Sequence, residues 1–291
     1  MSLVVAQTTE DGPRIVSDTR VGFPYERRSN FKTGTLKVIV VTRKVAVCFA
    51  GDVSICLDGV RGFARRLRER EPLDDAVAVF RELTSDSRRH VEFIVANADA
   101  DSRLTRVRDG RIERALPAAW IGDQDAFERF QQERHKPIEE PWCKVMDQLP
   151  PGAKAISRLG RAMEAVIDDP AIASVDDFCV RVATKEGDFN YLEQTFVHVG
   201  RNITVRSGED LIAKMAQPVE EGGYAVSVVE PSEPGTPALG LNFPRARIGM
   251  VYLPLEYDEA QVIHDVSPND FARVVLDRFG VRLSDPLLKH P

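Results

Sequence analysis

The stretch SLVVAQTTEDGPRIVSDTR, residues 2–20, decides how the fold begins. Two short apolar runs, 3–8 and 13–17, flank the turn-forming triplet EDG, and this pattern is typical of a β-hairpin. Chain ends usually fray because nothing holds them in place. A chain that enters its sheet at the third residue therefore raises the question of what the sheet does with the terminus.

Blocks of strands and helices alternate after this hairpin. A second hairpin is predicted over 36–51, and a helical apolar period then runs through 54–70. Further strands are predicted at 91–98, 103–108 and 111–115, and further helices at 72–86, 123–134 and 153–169. Hairpin-connected strands grouped between helix pairs favour antiparallel sheets over a parallel sheet. The predicted fold class is therefore α+β, a four-layer αββα sandwich of two antiparallel sheets flanked by helices.

The last 120 residues carry a weaker pattern. Strands are predicted at 178–183, 190–199, 224–231 and 247–255, and helices at 207–217 and 267–280. A Pro/Gly-rich loop is expected at 231–244. Because no repeat, low-complexity stretch or clean linker interrupts the chain, we expect a single elaborated domain over 2–291, with a C-terminal helical extension at 256–291.

Composition excludes several classes of function. The formal net charge of −6 over 291 residues disfavours nucleic acid and anionic membrane as partners. The longest apolar runs are strand-sized, and residues 2–16 lack the features of a secretory signal. The four cysteines form no CxxC pair and the five histidines have no ligand spacing. We therefore expect a reduced, cytoplasmic protein with no metal and no cofactor.

The opening residues resemble the start of a mature proteasome β-subunit and of its bacterial relatives, which are N-terminal-nucleophile (Ntn) hydrolases. Those chains begin with a free Thr or Ser, run strand–DG–strand and reach a D-T-R or D-S-R triplet. Ser2 and Asp18 take the corresponding places without a gap. LKVIVVTRKVAVCFAGD resembles the family's lysine-bearing hairpin, so that Lys37 matches the active-site lysine and Gly51 the oxyanion-binding glycine. PAAWIGDQDAFERF, at 117–130, resembles the family's A-x-x-I-G segment.

The chemistry of such a site follows from its residue types. A serine hydroxyl needs a base at neutral pH, and a chain-terminal amine, whose ordinary pKa is about 7.7–8.0, can supply one. If Met1 is removed, Ser2 carries both the nucleophile and the base. A nearby Lys37 ammonium would lower the pKa of that amine, Asp18 would hold Lys37, and the Gly51 N–H would stabilise the oxyanion. Lys32 in FKTG is a rival for the lysine role.

Two features depart from the family pattern. A serine usually follows the glycine of the I-G pair, whereas Asp123 follows Gly122 here. A carboxylate beside the terminal amine would raise the pKa of the amine and oppose its use as a base. The D-x-x-S-G segment is also not visible, and Asp176, Asp177 and Asp188 are only candidates for its aspartate. The resemblance covers residues 2–170 and then meets an apparent insertion at 184–222.

The resemblance implies a peptidase-like amide hydrolase with Ser2, Asp18, Lys37 and Gly51 at its site and Asp123 as a neighbour. It implies a peptide or other amide substrate, a homo-oligomer in a ring or related array, and the option of an ATPase unfoldase as a partner. Two alternatives stay open. One is a catalytically silent scaffold of the same fold, and the other is a small-molecule amidase or acylase.

Overall fold

A computed structural model describes residues 2–19, 34–86, 88, 90–99, 103–137, 146–175, 178–192, 194–198, 224–244 and 247–284, with the backbone alone at 194–198 and 224–226. These residues form helices and three antiparallel five-stranded sheets, so the α+β class is confirmed. Their contacts group them into two compact units. Unit 1 holds the first 191 residues with two short later segments, 234–237 and 254–259.

Unit 1 contains two sheets. The first has the strand order β10-β9-β2-β1-β8, and the second has the order β3-β4-β5-β6-β7. The strands are β1 (Leu3–Thr9), β2 (Gly12–Ser17), β3 (Val38–Val40), β4 (Val45–Gly51), β5 (Val91–Asn97), β6 (Leu104–Arg108), β7 (Arg111–Glu113), β8 (Ala118–Gly122), β9 (Val180–Lys185) and β10 (Asp188–Tyr191). The predicted first hairpin is confirmed, with Val5 opposite Val16.

Helices cover each sheet of unit 1. They are α1 (Val53–Arg68), α2 (Leu73–Ala76), α3 (Ala78–Thr84), α4 (Gln124–His135) and α5 (Pro151–Ile167). Helices α1 and α3 contact the second sheet, α5 contacts β1, β2 and β9, and α4 packs against α5. The two sheets also contact each other through β1, β4, β5 and β8.

Large and small side chains alternate along the strands of the second sheet. Phe49 and Phe93 lie on the helix-facing side of β4 and β5, where they pack with Phe63 and Phe80. The ring of Phe80 stacks on that of Phe93 with centroids 4.2 Å apart. The small residues Ala50 and Ala96 occupy the opposite side of the same strands, because side chains alternate along a strand. Small side chains there allow the close approach of the first sheet.

Unit 2 contains the third sheet and one helix. Its strands are β11 (Gln194–His198), β12 (Tyr224–Val229), β13 (Leu239–Phe243), β14 (Ile248–Tyr252) and β15 (Gln261–His264), paired in sequence order. Helix α6 (Pro268–Phe279) begins after a Ser267 cap and ends at Gly280, whose φ is 69°. This confirms the helix predicted at 267–280. Phe271 of α6 and Val251 of β14 belong to the core of this unit.

Several expectations need correction. The helix predicted at 72–86 is divided at Val77 into α2 and α3. The strand predicted at 190–199 is two strands, β10 and β11, which belong to different sheets. Part of the loop expected at 231–244 is strand β13, and the extension expected to be helical from 256 contains strand β15 as well as α6. The helix predicted at 207–217 lies outside the described residues.

The sequence predicts one elaborated domain over 2–291. In the structure, the contacts divide the chain into two compact units. The region 184–222 predicted as an insertion begins within the β9–β10 hairpin, which pairs with β2 in the first sheet. The sequence carries no linker signal at Leu192, where the chain passes from unit 1 to unit 2.

Candidate active site

Ser2 lies immediately before β1, the strand between β2 and β8 in the first sheet. The backbone C=O of Ser2 accepts a hydrogen bond from the N–H of Asp123 at 2.8 Å. The next residue, Leu3, lies opposite Gly122 of β8. Ser2 is therefore held by the sheet on which it begins, and it is only 2% exposed.

Asp18 lies just after β2 and joins the start of β1 to Lys37. Its Oδ1 accepts the Leu3 N–H at 3.0 Å, and its own N–H donates to the Leu3 C=O at 3.4 Å. Its Oδ2 lies 3.1 Å from Lys37 Nζ, with both side chains buried. The expected contact between Asp18 and Lys37 is thus present, one residue from Ser2.

Tyr191 fixes the strand that follows Lys37. Its hydroxyl donates to the C=O of Val38 and accepts from the N–H of Val40, each at 3.0 Å. Because β3 is an edge strand of the second sheet, these backbone groups would otherwise lack partners within the sheet. Burial raises the pKa of Tyr191, so its hydroxyl stays protonated and can donate. No motif in the sequence predicts this role of Tyr191.

Gly51 ends β4, and its φ of 116° is accessible to glycine but strained for other residues. A Cβ at this position would lie 1.8 Å from the C=O of His90. The next residue, Asp52, caps α1 by accepting the Ile55 N–H at 3.1 Å. A strand therefore passes directly into a helix at the predicted oxyanion-binding glycine.

Gly122 and Asp123 repeat this junction at the end of β8. Gly122 has a φ of 105°, and a Cβ there would lie 1.9 Å from the C=O of Ser2 and 3.4 Å from the Cβ of Ala50. Ala50 precedes Gly51, so the two junctions lie side by side, and the Gly122 junction lies against Ser2. The Asp123 carboxylate accepts the Ala126 N–H at 3.0 Å and caps α4.

This cap changes the interpretation of Asp123. The sequence predicts that its carboxylate acts on the terminal amine, whereas in the structure Oδ1 is bound to the first turn of α4. A helix N-terminus stabilises a negative charge. The contact of Asp123 with Ser2 runs instead through its backbone N–H.

The other candidate residues lie elsewhere. Asp188 pairs with Lys44, its Oδ1 lying 3.2 Å from Nζ. Lys32, Asp176 and Asp177 lie outside the described residues. Glu92, which no sequence motif predicts as a site residue, accepts the Gly122 N–H at 2.7 Å. The only sequence signal for Glu92 is a carboxylate inside the apolar strand VEFIVA.

The described cysteines do not offer a thiolate. Cys48, Cys56 and Cys179 are buried and carry free thiols. Burial raises the pKa of all three, in Cys179 to about 12, so each stays a neutral thiol near pH 7. Within the described ranges, no cluster of three His, Cys, Asp or Glu side chains could hold a metal ion. No helix in those ranges combines the length and apolarity needed to cross a bilayer.

Comparison with known proteins gives no family. No family model matches the chain, and no curated protein matches it either.

Proposed function

We propose that the chain is an N-terminal-nucleophile amide hydrolase, a proteasome-like peptidase in which Ser2 is exposed by removal of Met1. The observation that carries the proposal is that Asp18 joins Lys37 to the backbone of Leu3, the residue that follows Ser2. Asp18 binds the N–H of Leu3 with one carboxylate oxygen and Lys37 with the other. A buried charged pair is costly to build unless it is well bonded, and this one lies one residue from the proposed nucleophile.

The layering of unit 1 supports the finer fold assignment. Two antiparallel sheets contact each other, with α1 and α3 on one sheet and α5 on the other. This is the order of layers expected of an αββα Ntn-hydrolase sandwich. The N-terminal strand β1 lies inside the first sheet, so its end can deliver a terminus to the interface between the sheets.

In the proposed reaction, Ser2 Oγ attacks the carbonyl carbon of the amide while its proton passes to the α-amine of Ser2. The C–N bond then breaks, and the leaving amine takes that proton. Water hydrolyses the resulting ester and regenerates the hydroxyl. The Lys37 charge favours the neutral form of the α-amine, Asp18 fixes Lys37, and the Gly51 N–H binds the oxyanion.

The hydrogen bonds at the second junction favour Gly51 for this role. The N–H of Gly122 is bound to Glu92, and that of Asp123 is bound to Ser2. Neither N–H is therefore available to an oxyanion. We extend the proposal to a peptide or related amide substrate and a homo-oligomer, with an ATPase unfoldase as a possible partner.

The experiment that tests the proposal combines the intact mass of the purified chain with labelling by a β-lactone probe. We expect a chain that starts at Ser2 and an ester adduct that maps to Ser2. Ser2→Ala should abolish the adduct. Ser17→Ala is the matched control, because Ser17 is also buried in this region, and it should leave labelling unchanged. A chain that retains Met1 contradicts the proposal. A chain that starts at Ser2 but forms no adduct contradicts it as well.

A catalytically silent scaffold of the same fold is the second candidate. The observation that favours it is Asp123, which takes the place of the family's serine and whose carboxylate is bound to the first turn of α4. If the chain starts at Ser2 but forms no adduct, and light scattering shows a stable homo-oligomer, the scaffold is supported over the hydrolase.

A further inference from the structure

We infer that Glu92 is a positioning residue for Ser2, an inference that rests on the proposed function. Glu92 belongs to β5 of the second sheet, whereas its Oε2 accepts the N–H of Gly122 in the first sheet at 2.7 Å. Because β8 is an edge strand, an N–H that points away from β1 has no partner within its own sheet. The Glu92 carboxylate supplies that partner from the neighbouring sheet.

Arg108 holds the same carboxylate from its other side. Its Nε lies 2.7 Å from Glu92 Oε1, and the pairing of Phe93 with Val107 places Glu92 opposite Arg108 on neighbouring strands. The Glu92 side chain is only 16% exposed. Hydrogen bonds to an ionised carboxylate are shorter and stronger than neutral ones. Glu92 is therefore fixed at both oxygens.

The anchored peptide leads directly to Ser2. The N–H after that of Gly122 belongs to Asp123, and it donates to the Ser2 C=O at 2.8 Å. Gly122 lies so close to the same carbonyl that a Cβ there would be 1.9 Å from its oxygen. A shift of Gly122 would therefore displace Ser2.

This tie matters because the proposed site is divided between two sheets. Ser2 precedes β1 of the first sheet, and Lys37 precedes β3 of the second. The separation of nucleophile and lysine thus depends on how the sheets are held together near Ser2. A misplacement of about 1 Å can cost about 100-fold in rate. Glu92 touches neither the substrate nor Ser2 in the proposed reaction, and acts through Gly122 and Asp123.

The test compares Glu92→Ala, Glu92→Gln and Arg108→Gln in the full chain. We expect Glu92→Ala to speed amide hydrogen exchange at Gly122 and Asp123 by about tenfold or more, and to slow acylation of Ser2 by the β-lactone by about 10- to 100-fold. Glu92→Gln keeps an acceptor oxygen for the Gly122 N–H, so it should restore most of the protection and of the acylation rate. Arg108→Gln should have the smaller effect, because the bond to Gly122 remains. If Glu92→Ala does not fold, Glu92→Met replaces it, since it keeps the volume and accepts hydrogen bonds only weakly.

The outcomes separate this inference from the proposed function. Unchanged exchange at Gly122 and Asp123 in Glu92→Ala overturns the inference, whatever the activity. Lost protection with an unchanged rate and pH profile of acylation overturns it as well. If the wild-type chain starts at Ser2 but forms no adduct, the proposed hydrolase is overturned. Hydrogen exchange at Gly122 and Asp123 still decides whether Glu92 positions Ser2.

Discussion

Unit 1 and unit 2 each bury a pair of polar side chains, but the two pairs differ in their hydrogen bonds. In unit 1, Lys37 Nζ lies 3.1 Å from Asp18 Oδ2, and the second oxygen of Asp18 binds a backbone N–H. In unit 2, Ser227 of β12 lies opposite Asn242 of β13. Neither the Ser227 hydroxyl nor the Asn242 amide has a hydrogen-bond partner among the described residues.

The difference in hydrogen bonding between the two pairs shows how to interpret buried polar side chains in this chain. Removing a charge or an amide from water costs free energy unless its hydrogen bonds are replaced. The Asp18–Lys37 pair replaces them, although exchanging a buried ion pair for apolar residues of similar volume is often neutral or stabilising. Under the proposed function, the pair has a role that an apolar pair could not fill. The Ser227–Asn242 pair has no such replacement among the described residues.

The largest effect on stability is expected from Lys37→Met. This change leaves the Asp18 carboxylate buried without its ammonium, and breaking a buried ion pair in this way costs about 3–5 kcal/mol. Hydrogen exchange of peptides from β1 to β4 under increasing urea measures the free energy of opening of this region. Acylation of Ser2 should also be lost.

The double variant Asp18→Asn/Lys37→Met is the control for that loss. It removes both charges, so no buried charge is left uncompensated, and most of the stability should return while acylation stays absent. If Lys37→Met were as stable as the wild type, the Asp18–Lys37 pair would not be buried as described.

A smaller effect is expected from Tyr191→Phe. The hydroxyl of Tyr191 serves both Val38 and Val40, and its removal leaves two buried backbone groups unpaired. We expect a loss of about 1–3 kcal/mol in the opening free energy of β3, measured by hydrogen exchange of peptides that contain Val40. Ser54→Ala is the control for the loss of a hydroxyl, because Ser54 of α1 is exposed and its substitution should change stability by less than about 0.5 kcal/mol. Equal effects of the two substitutions would contradict the role given to Tyr191.

Hairpins and helices of unit 1 could be predicted from the sequence because each depends on residues that are close together in the chain. The EDG turn between apolar runs gives β1 and β2, and the apolar period from Ile55 to Leu67 gives α1. Strand β8 was missed as a strand because it is short and its partner, β1, is more than 100 residues away in the sequence. Long-range pairing leaves little trace in a local pattern.

The candidate site shows the same limit. The contact of Asp18 with Lys37 was expected from the resemblance and is present. The capping role of Asp123 could have been predicted, because Asp before a helical run is a common N-cap. The roles of Glu92 and Tyr191 could not, because each binds the backbone of a strand in the other sheet. Only the stacking of the two sheets brings those groups together.

The smallest effect, and one of opposite sign, is expected from Ser227→Ala/Asn242→Leu in unit 2. Asn242 lies opposite Gly249, against which the Phe271 ring packs, so an apolar side chain there meets an apolar neighbour. Removing polar groups that have no hydrogen-bond partner among the described residues should raise the opening free energy of β12 to β14 by about 1 kcal/mol, measured by hydrogen exchange. Thr184→Val is the matched control, because its buried hydroxyl is bonded to Arg14 and to the Asp11 C=O and its loss should destabilise unit 1 by about 1 kcal/mol. If the double variant loses stability instead, Ser227 and Asn242 have polar partners in solution, and the contrast between the two buried pairs fails.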